Sequence, residues 1–219
     1  MAGKRTWADL PAHLEEGEEL SSASYRACEE GLPMESMRFE DGVLDLTYDA
    51  RLDVRGCLFE RCRFPIEMGQ RVDFKDCVFI GCDFSGAQME QSAIRSCELS
   101  GCRLTGALMT EGLVQYASFT DCAMDLCTIG ESKINDVQLT NCKMDKFAVH
   151  ALRWQKLRLA GCSLRSLEVR NMPLKGIDLR SCDIEGISID PAALRGATVT
   201  PEQALMLASL LGLNIKQAE

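Results

Sequence analysis

The chain has 219 residues and a net charge of −9 at pH 7, and 46% of its residues are hydrophobic. This length suffices for one or two domains, and no uninterrupted apolar stretch approaches the roughly eighteen residues of a membrane-spanning helix. Twelve cysteines would suggest disulfides in a secreted protein. Because residues 1–7 show no apolar run of signal-peptide length, we instead expect reduced thiols and a cytoplasmic location without membrane contact.

The first segment, residues 1–36, is acidic and lacks the repeat that follows it. Residues 1–45 carry eleven acidic and four basic side chains, so most of the negative charge lies there. Trp7, Leu10 and Leu14 lie at helical spacing ahead of four glutamates, which predicts a short helix followed by an acidic loop. We expect this segment to cap the repeat, whose first unit would otherwise expose its core and strand edges.

Residues 37–201 contain an apolar residue at every fifth position in one phase, from Phe39 to Val199. A period of five fits neither a helix nor a strand, so it indicates a solenoid built from a repeated unit. Asp49 and Gly69 are the exceptions in this inward position, and residues 65–69 have the composition of a bulge. We therefore expect regular coiling to begin near Leu52.

Cysteines mark a second inward position, two residues before each apolar centre. Seven of them recur every twenty residues, so four five-residue units should form one square coil and stack these thiols in one column: Cys62, Cys82, Cys102, Cys122, Cys142, Cys162 and Cys182. At about 4.8 Å per coil, roughly eight coils would make a rod about 40 Å tall. A metal or redox site is the alternative, but the only histidines are His13 and His150. We expect small apolar fillers and no cofactor.

The stretch from Cys82 to Met89 resembles the pentapeptide-repeat family, whose motif places a small residue two positions before a central Leu or Phe. The resemblance covers about three quarters of the chain. It implies an all-β, right-handed quadrilateral β-helix, here divided into an acidic cap (1–36), the β-helix (37–201) and a C-terminal capping helix with a dimerisation tail (202–219).

The end of the chain carries strong helix signals. Thr200 suits the N-cap, Pro201 the first turn, Gln203 a capping box and Gly212 a left-handed end. A stripe predicted to cover the last coil consists of Ala204, Leu207, Ala208 and Leu211. Surplus apolar residues predict a homodimer joined at this end: Leu205, Met206, Leu210 and Leu213.

This tail resembles that of the Qnr-type pentapeptide-repeat proteins, which protect bacterial DNA gyrase and topoisomerase IV from quinolones. The resemblance implies a bacterial, cytoplasmic DNA mimic that binds a type II topoisomerase. One face of the predicted rod leans acidic and is the expected partner-binding surface: Glu90, Glu111, Glu131, Glu168 and Asp190. The next face leans basic: Lys75, Arg95, Lys133, Arg153, Lys156, Lys175 and Arg195.

Catalytic signatures are missing from the sequence. It shows no nucleophile with a neighbouring base and no glycine-rich phosphate loop, and filled core positions predict no pocket, so we expect a protein that is not an enzyme. With only one basic face we expect no direct nucleic-acid binding. The alternative to a topoisomerase-binding mimic is a general interaction or structural solenoid with an unrelated protein partner.

Overall fold

Parallel strands stacked at intervals of twenty residues build the protein. The computed structural model describes residues 6–46, 50–69 and 71–213, so the predicted irregularity at Asp49 lies outside the described residues. The strands are β1 (Met34–Glu35), β2 (Arg38–Glu40), β3 (Arg51–Arg55), β4 (Leu58–Glu60), β5 (Arg71–Lys75), β6 (Val78–Ile80), β7 (Gln88–Glu90), β8 (Ala93–Arg95), β9 (Glu98–Ser100), β10 (Leu108–Thr110), β11 (Leu113–Thr120), β12 (Thr128–Gly130), β13 (Lys133–Thr140), β14 (Ala148–His150), β15 (Arg153–Ala160), β16 (Glu168–Arg170) and β17 (Ser188–Ile189).

Each coil has four faces, which confirms the predicted quadrilateral solenoid. The first face contains β1, β3, β5 and β8, the second contains β2, β4, β6 and β9, and β11, β13 and β15 run through both. Single bridges spaced by twenty residues, from Val43 to Asp183, form the third face. The fourth face is a six-stranded sheet of β7, β10, β12, β14, β16 and β17.

The two inward positions of the repeat fill one continuous core. On the third face the bridges that follow each cysteine are in register, so the seven predicted thiols lie in one column, and all seven are buried and free. Their sulfurs contact main-chain carbonyls, as Cys62 Sγ does with Phe39 O at 3.5 Å. Phenylalanines also stack between coils, with ring centroids of Phe59 and Phe79 5.0 Å apart and those of Phe64 and Phe84 3.9 Å apart.

Corners between faces require left-handed backbone. The corner position is glycine in many units, but elsewhere an L-residue adopts it, as Leu126 does with φ 60° and Tyr116 with φ 52°. A left-handed L-residue costs roughly 1–2 kcal/mol because its Cβ approaches the following carbonyl oxygen. The rod thus carries local strain that its ladder and core must offset.

The predicted bulge at residues 65–69 shifts the register by one residue. Met68 is 1% exposed and fills the inward place that the five-residue period assigns to Gly69. Correspondingly, Gln88 bridges Glu67, and its N–H donates to Ile66 O at 2.7 Å. An apolar side chain therefore replaces the missing one at Gly69, and the core stays filled.

The first segment folds differently from the predicted helix over Trp7 to Leu14. Helix α1 (Leu20–Glu30) covers the first coil instead, and its buried stripe is Leu20, Ala23, Ser24 and Ala27. Residues 6–15 form no helix and lie along the second face, where Ala8 is buried and Glu15 bridges Met37. Pro11 lies in the middle of the expected helix, where its ring disfavours helical continuation.

Helix α2 (Pro201–Ala208) closes the other end. The predicted capping box is present: Thr200 Oγ1 accepts from Gln203 N, and Gln203 Oε1 accepts from Thr200 N. Two 3-10 turns, Pro191–Leu194 and Ser209–Leu211, flank the helix, and Gly212 ends it with φ 69°. Neither α1 nor α2, the α-helices of the described residues, is long and apolar enough to cross a membrane.

The covering stripe of α2 differs from the predicted one. Ala204 and Leu211 are exposed, whereas Gln203 is buried and Leu207 and Leu210 pack partly against the core. The Gln203 amide donates from Nε2 to Leu179 O and to Cys182 O, both at 2.8 Å. A polar side chain, missed by a stripe drawn from apolar residues alone, therefore gives Cys182 O a donor and Leu179 O a second one beside Cys182 N.

Candidate interaction surfaces

The five predicted partner-binding acids are all exposed, but they occupy several columns of the fourth face. Glu90 stacks with Thr110, and that column continues through Gly130. Glu111 and Glu131 follow Thr110 and Gly130 in the chain, so these two carboxylates are neighbours in adjacent coils. The five acids therefore lie on or at the corner of the fourth face, and they do not form a single line.

The five acids also differ in whether their carboxylates already have a partner within the protein. Glu168 forms an ion pair with Arg170 at 3.2 Å, and Asp190 accepts from Ala192 N at 2.9 Å at the start of a 3-10 turn. Glu111 accepts from Gln91 Nε2 at 3.0 Å. Within the part of the chain that the structure describes, Glu90 and Glu131 form no ion pair. Glu90, Glu111 and Glu131 thus remain available to an external cation.

Charges elsewhere on the rod are largely paired between coils. Arg38 bridges Glu60 at 2.7 Å and Arg158 bridges Asp136 at 2.8 Å. Asp136 is buried, but pairs whose two members are exposed, such as Arg61 with Asp41 at 2.8 Å, contribute about 0–1 kcal/mol each and order the surface more than they stabilise the fold. The N-terminal segment, residues 6–15, joins this surface, since Trp7 N donates to Glu98 Oε1 at 2.7 Å.

Unpaired cations collect on the first face near the C-terminal end. They are exposed and have no ion pair among the described residues: Lys133, Arg153, Lys156, Lys175 and Arg195. The N-terminal members of the predicted basic face are different, because Lys75 lies 3.8 Å from Asp76 and Arg95 lies 3.6 Å from Asp73. The basic face is therefore positive mainly in its C-terminal half.

The C-terminal helix exposes most of the residues predicted to join two copies. Leu205, Met206 and Leu213 are 58%, 52% and 57% exposed, and Leu211 is 61% exposed. Leu210 is the exception, because it packs partly against the core. The exposed apolar surface at this end thus includes Leu211, which the sequence had placed on the covering stripe.

Cys57 and Cys127 lie in surroundings that suppress ionisation of their thiols. Burial raises the pKa of Cys57 to about 12 and that of Cys127 to about 11. Cys127 Sγ also donates to Leu104 O at 2.8 Å. A protonated thiol neither attacks nor binds a metal, and within the described ranges no group of three or more His, Cys, Asp or Glu could hold a metal ion.

Contrary to the expectation of a completely filled core, the C-terminal half contains a cavity. Its volume is about 110 Å³, and every residue that lines it is apolar, among them Phe147, Leu157, Leu159 and Leu179. Six of the eight phenylalanines precede residue 85, so aliphatic side chains must fill the same cross-section in the later coils. They leave part of it empty.

Comparisons with known proteins concern the repeat. Residues 72–110 match pentapeptide repeats, in eight copies. No curated protein sequence matches the chain. A solved structure of full-length QnrB1, a plasmid-mediated fluoroquinolone resistance protein, is 14% identical, with 83% of this chain and 100% of that chain covered and a TM-score of 0.30.

Two further solved structures have similar coverage. A trypsin-treated QnrB1 is 21% identical over 85% of this chain and 91% of that one, with a TM-score of 0.36. HetL, a pentapeptide repeat protein involved in heterocyst differentiation regulation from Nostoc sp. strain PCC 7120, is 12% identical over 83% and 95%, with a TM-score of 0.24. Residues 72–110 thus contain pentapeptide repeats, and the same four-sided coils continue on either side of them.

Proposed function

We propose that the protein is a non-catalytic interaction solenoid that binds a bacterial type II topoisomerase, gyrase or topoisomerase IV, as a DNA mimic and protects it from quinolones. The observation that carries this proposal is the group Glu90, Glu111 and Glu131 on the fourth face. All three are exposed on rigid strand ends or corners and are free of intramolecular cations among the described residues. The resemblance of the C-terminal segment to that of Qnr-type proteins gives the group its expected partner.

A rigid acidic surface can replace DNA at a cationic groove. Glu111 and Glu131 lie in adjacent coils, about 4.8 Å apart along the rod, so their charges point outward at a spacing set by the ladder. Since the backbone here is fixed by strand pairing, binding orders few groups and costs little conformational entropy. The group is small, so we expect modest affinity that falls steeply with salt, because exposed charges are screened within about 8 Å at 0.15 M.

The second part of the proposal is a homodimer joined at α2. Leu205, Met206, Leu211 and Leu213 expose apolar surface where one copy ends. An end-to-end dimer with twofold symmetry would bury these residues against the same residues of a second copy. It would also double the length of the rod presented to a partner.

Supercoiling by gyrase in the presence of ciprofloxacin tests the proposal. Wild-type protein should restore supercoiling, and changing Glu111 and Glu131 to Lys should abolish protection because it reverses both charges that face the cationic groove. A matched variant with Glu29 and Glu30 of α1 changed to Lys alters the net charge equally, but at the N-terminal end of the rod. We expect it to protect like wild type.

Two results would contradict the proposal. Absence of protection by the wild type, with no gyrase binding at 50 mM salt, would favour a solenoid with an unrelated protein partner. Equal loss of protection in both charge variants would show that net charge, and not the fourth face, controls the effect.

A further inference from the structure

The strand ladder is interrupted between two neighbouring coils. Strand β15 pairs with β13 only, and within the described residues no backbone hydrogen bond joins Arg153–Ala160 to the segment 173–180 of the next coil. The third and fourth faces of the same coils stay paired, as Leu164 N donates to Asp183 O at 2.7 Å. The two coils are therefore connected on one side of the rod and unconnected on the first and second faces.

Proline explains where the interruption begins. In the preceding coil, Arg153 N donates to Ser132 O at 3.1 Å across the first face. The residue twenty positions later is Pro173, which has no N–H to donate to Leu152 O. The indole of Trp154 makes the contact between the coils instead, with Nε1 donating to Pro173 O at 2.9 Å. A side chain thus spans the gap that the missing ladder leaves.

The interruption leads into the apolar cavity of about 110 Å³. Its lining includes Leu157 and Leu159 from β15 and Leu174, Ile177 and Leu179 from the next coil. Both β15 leucines are only half-buried, although the equivalent Val137 and Leu139 of β13 are buried. Water therefore reaches the lining between the two coils, and so could a small molecule.

The dimensions and chemistry of the cavity restrict its ligand. A 150 Å³ cavity lined by Leu, Ile and Phe stays dry and binds benzene or xenon, so this smaller one suits a single ring or a chain of about four or five carbons. The two edges of the opening, here called its lips, carry cations: Arg153 and Lys156 on β15 and Lys175 on the facing segment. None of the three has an ion pair in the described ranges.

We propose that the opening between β15 and residues 173–180 is a binding site for a small apolar carboxylate, whose hydrocarbon part enters the cavity and whose carboxylate stays at the cationic lips. Burial of the hydrocarbon supplies most of the affinity. Pairing at exposed cations contributes about 0.2–1 kcal/mol, so the lips should favour an anion over its neutral analogue by about 1.5- to 5-fold.

Titration with benzoate, followed by methyl NMR, tests the site. We expect saturable shifts at the methyl groups of Leu157, Leu159 and Leu179, with Leu44 in the phenylalanine-rich early coils unchanged. Benzyl alcohol should shift the same methyl groups with weaker affinity. Shifts confined to other leucines, or no saturation by either compound, would overturn the proposal.

Variants separate the lips, the entrance and the cavity. Changing Lys156 and Lys175 to Gln should weaken benzoate severalfold and leave benzyl alcohol unchanged, whereas the pair Lys143 and Lys146 on the third face should affect neither when changed in the same way. Pro173→Ala restores a donor for Leu152 O and should close the entrance, lowering affinity for both compounds. Binding that resists both the Gln pair and Pro173→Ala would refute the assigned site.

Hydrogen exchange provides a readout without a ligand. Ser96 occupies the same corner position as Lys156 three coils earlier, and its N–H donates to Gln115 O at 2.9 Å. The Lys156 amide should exchange at least tenfold faster than the Ser96 amide, and Pro173→Ala should narrow that difference. Equal protection in the wild type would show that the coils are closed and would overturn the proposal.

Discussion

Replacing Gln203 by Leu tests how the C-terminal end of the rod is closed. The leucine has a similar volume and suits an apolar position, so a reading based on hydrophobicity alone predicts a gain in stability. The structure predicts a loss, because Gln203 Nε2 donates to both Leu179 O and Cys182 O at 2.8 Å, and Oε1 accepts from Thr200 N at 2.9 Å.

The expected loss follows from these three contacts. A typical hydrogen bond contributes a net of about 1 kcal/mol, and a buried carbonyl left without a donor costs about 1–3 kcal/mol. We therefore expect Gln203→Leu to lower the unfolding free energy by about 3 kcal/mol. For a chain of this length, 1 kcal/mol corresponds to roughly 2–4 °C in Tm, which gives a decrease of about 6–12 °C.

Urea unfolding followed by circular dichroism measures this loss, and hydrogen exchange at residues 174–190 locates it. Gln203→Glu provides a sharper comparison, since it keeps an acceptor for Thr200 N but places a carboxylate against two carbonyl oxygens. It should be at least as destabilising as Gln203→Leu. The exposed neighbour change Glu202→Gln should stay within about 0.5 kcal/mol of wild type. A Gln203→Leu variant equally close to wild type would refute the role assigned to the amide.

Three other predictions concern the thiols, the corners and the helix end. Burial holds the pKa of Cys57 at about 12 and that of Cys127 at about 11 against 9.0 in the unfolded chain, so the unfolded chain loses these protons first and stability should fall above about pH 9, by up to about 1.4 kcal/mol per pH unit for each thiol. Urea midpoints between pH 8 and 11 measure the slope, which Cys57→Ala should reduce; a flat profile would contradict the assigned burial. Leu126 is 57% exposed with φ 60°, so Leu126→Asn should raise the unfolding free energy by about 1 kcal/mol in calorimetry, whereas the β-branched Leu126→Val should lower it. In sedimentation, Leu205→Glu should convert a dimer to a monomer, and Tyr25→Glu, an equally exposed apolar position on α1, should not; a monomeric wild type would refute the end-to-end dimer.

The solenoid was predictable because every coil has the same two positions that must hold buried side chains. An apolar residue every fifth position and a cysteine every twentieth leave few ways to bury both positions, so faces, columns and coil number followed from spacing alone. Composition indicated a bulge at residues 65–69, but the inward position of Met68 did not follow, because composition does not show which residue of a bulge faces the core. A period describes the average unit and cannot show where one unit takes an extra residue.

The ends and the surface were less predictable for other physical reasons. Helix α1 had a signal of its own, a small-residue stripe of Leu20, Ala23, Ser24 and Ala27, but it is weaker than the larger apolar residues at Trp7 and Leu10. The five-residue period places each acid near one face but does not place it within a column. Whether the carboxylates align depends on the column that each one occupies. The column is found only by comparing residue numbers at intervals of twenty.

Other signals were present in the sequence but depended on position within the coil. Pro173 interrupts the ladder because the residue at the equivalent position of the preceding coils donates its N–H to the neighbouring coil. The presence of a proline in the sequence does not by itself show this. For Gln203, likewise, the sequence predicted only a role in the capping box. Its second role, to the carbonyls of Leu179 and Cys182, requires knowing that α2 lies across the end of the rod.

The stacked phenylalanines also give the rod a direction of folding. In a linear array each coil interacts only with its neighbours, so folding can start wherever a few coils are stable together and then propagate along the chain. The rings of Phe59, Phe64, Phe74 and Phe79 contact one another within the early coils, whereas the later coils contain an interrupted ladder and a cavity. We expect the early coils to form the nucleus and to act as a template on which the later coils wind in turn. During synthesis the early coils leave the ribosome first. Each later coil can therefore pair with the strand edge of a coil that has already folded.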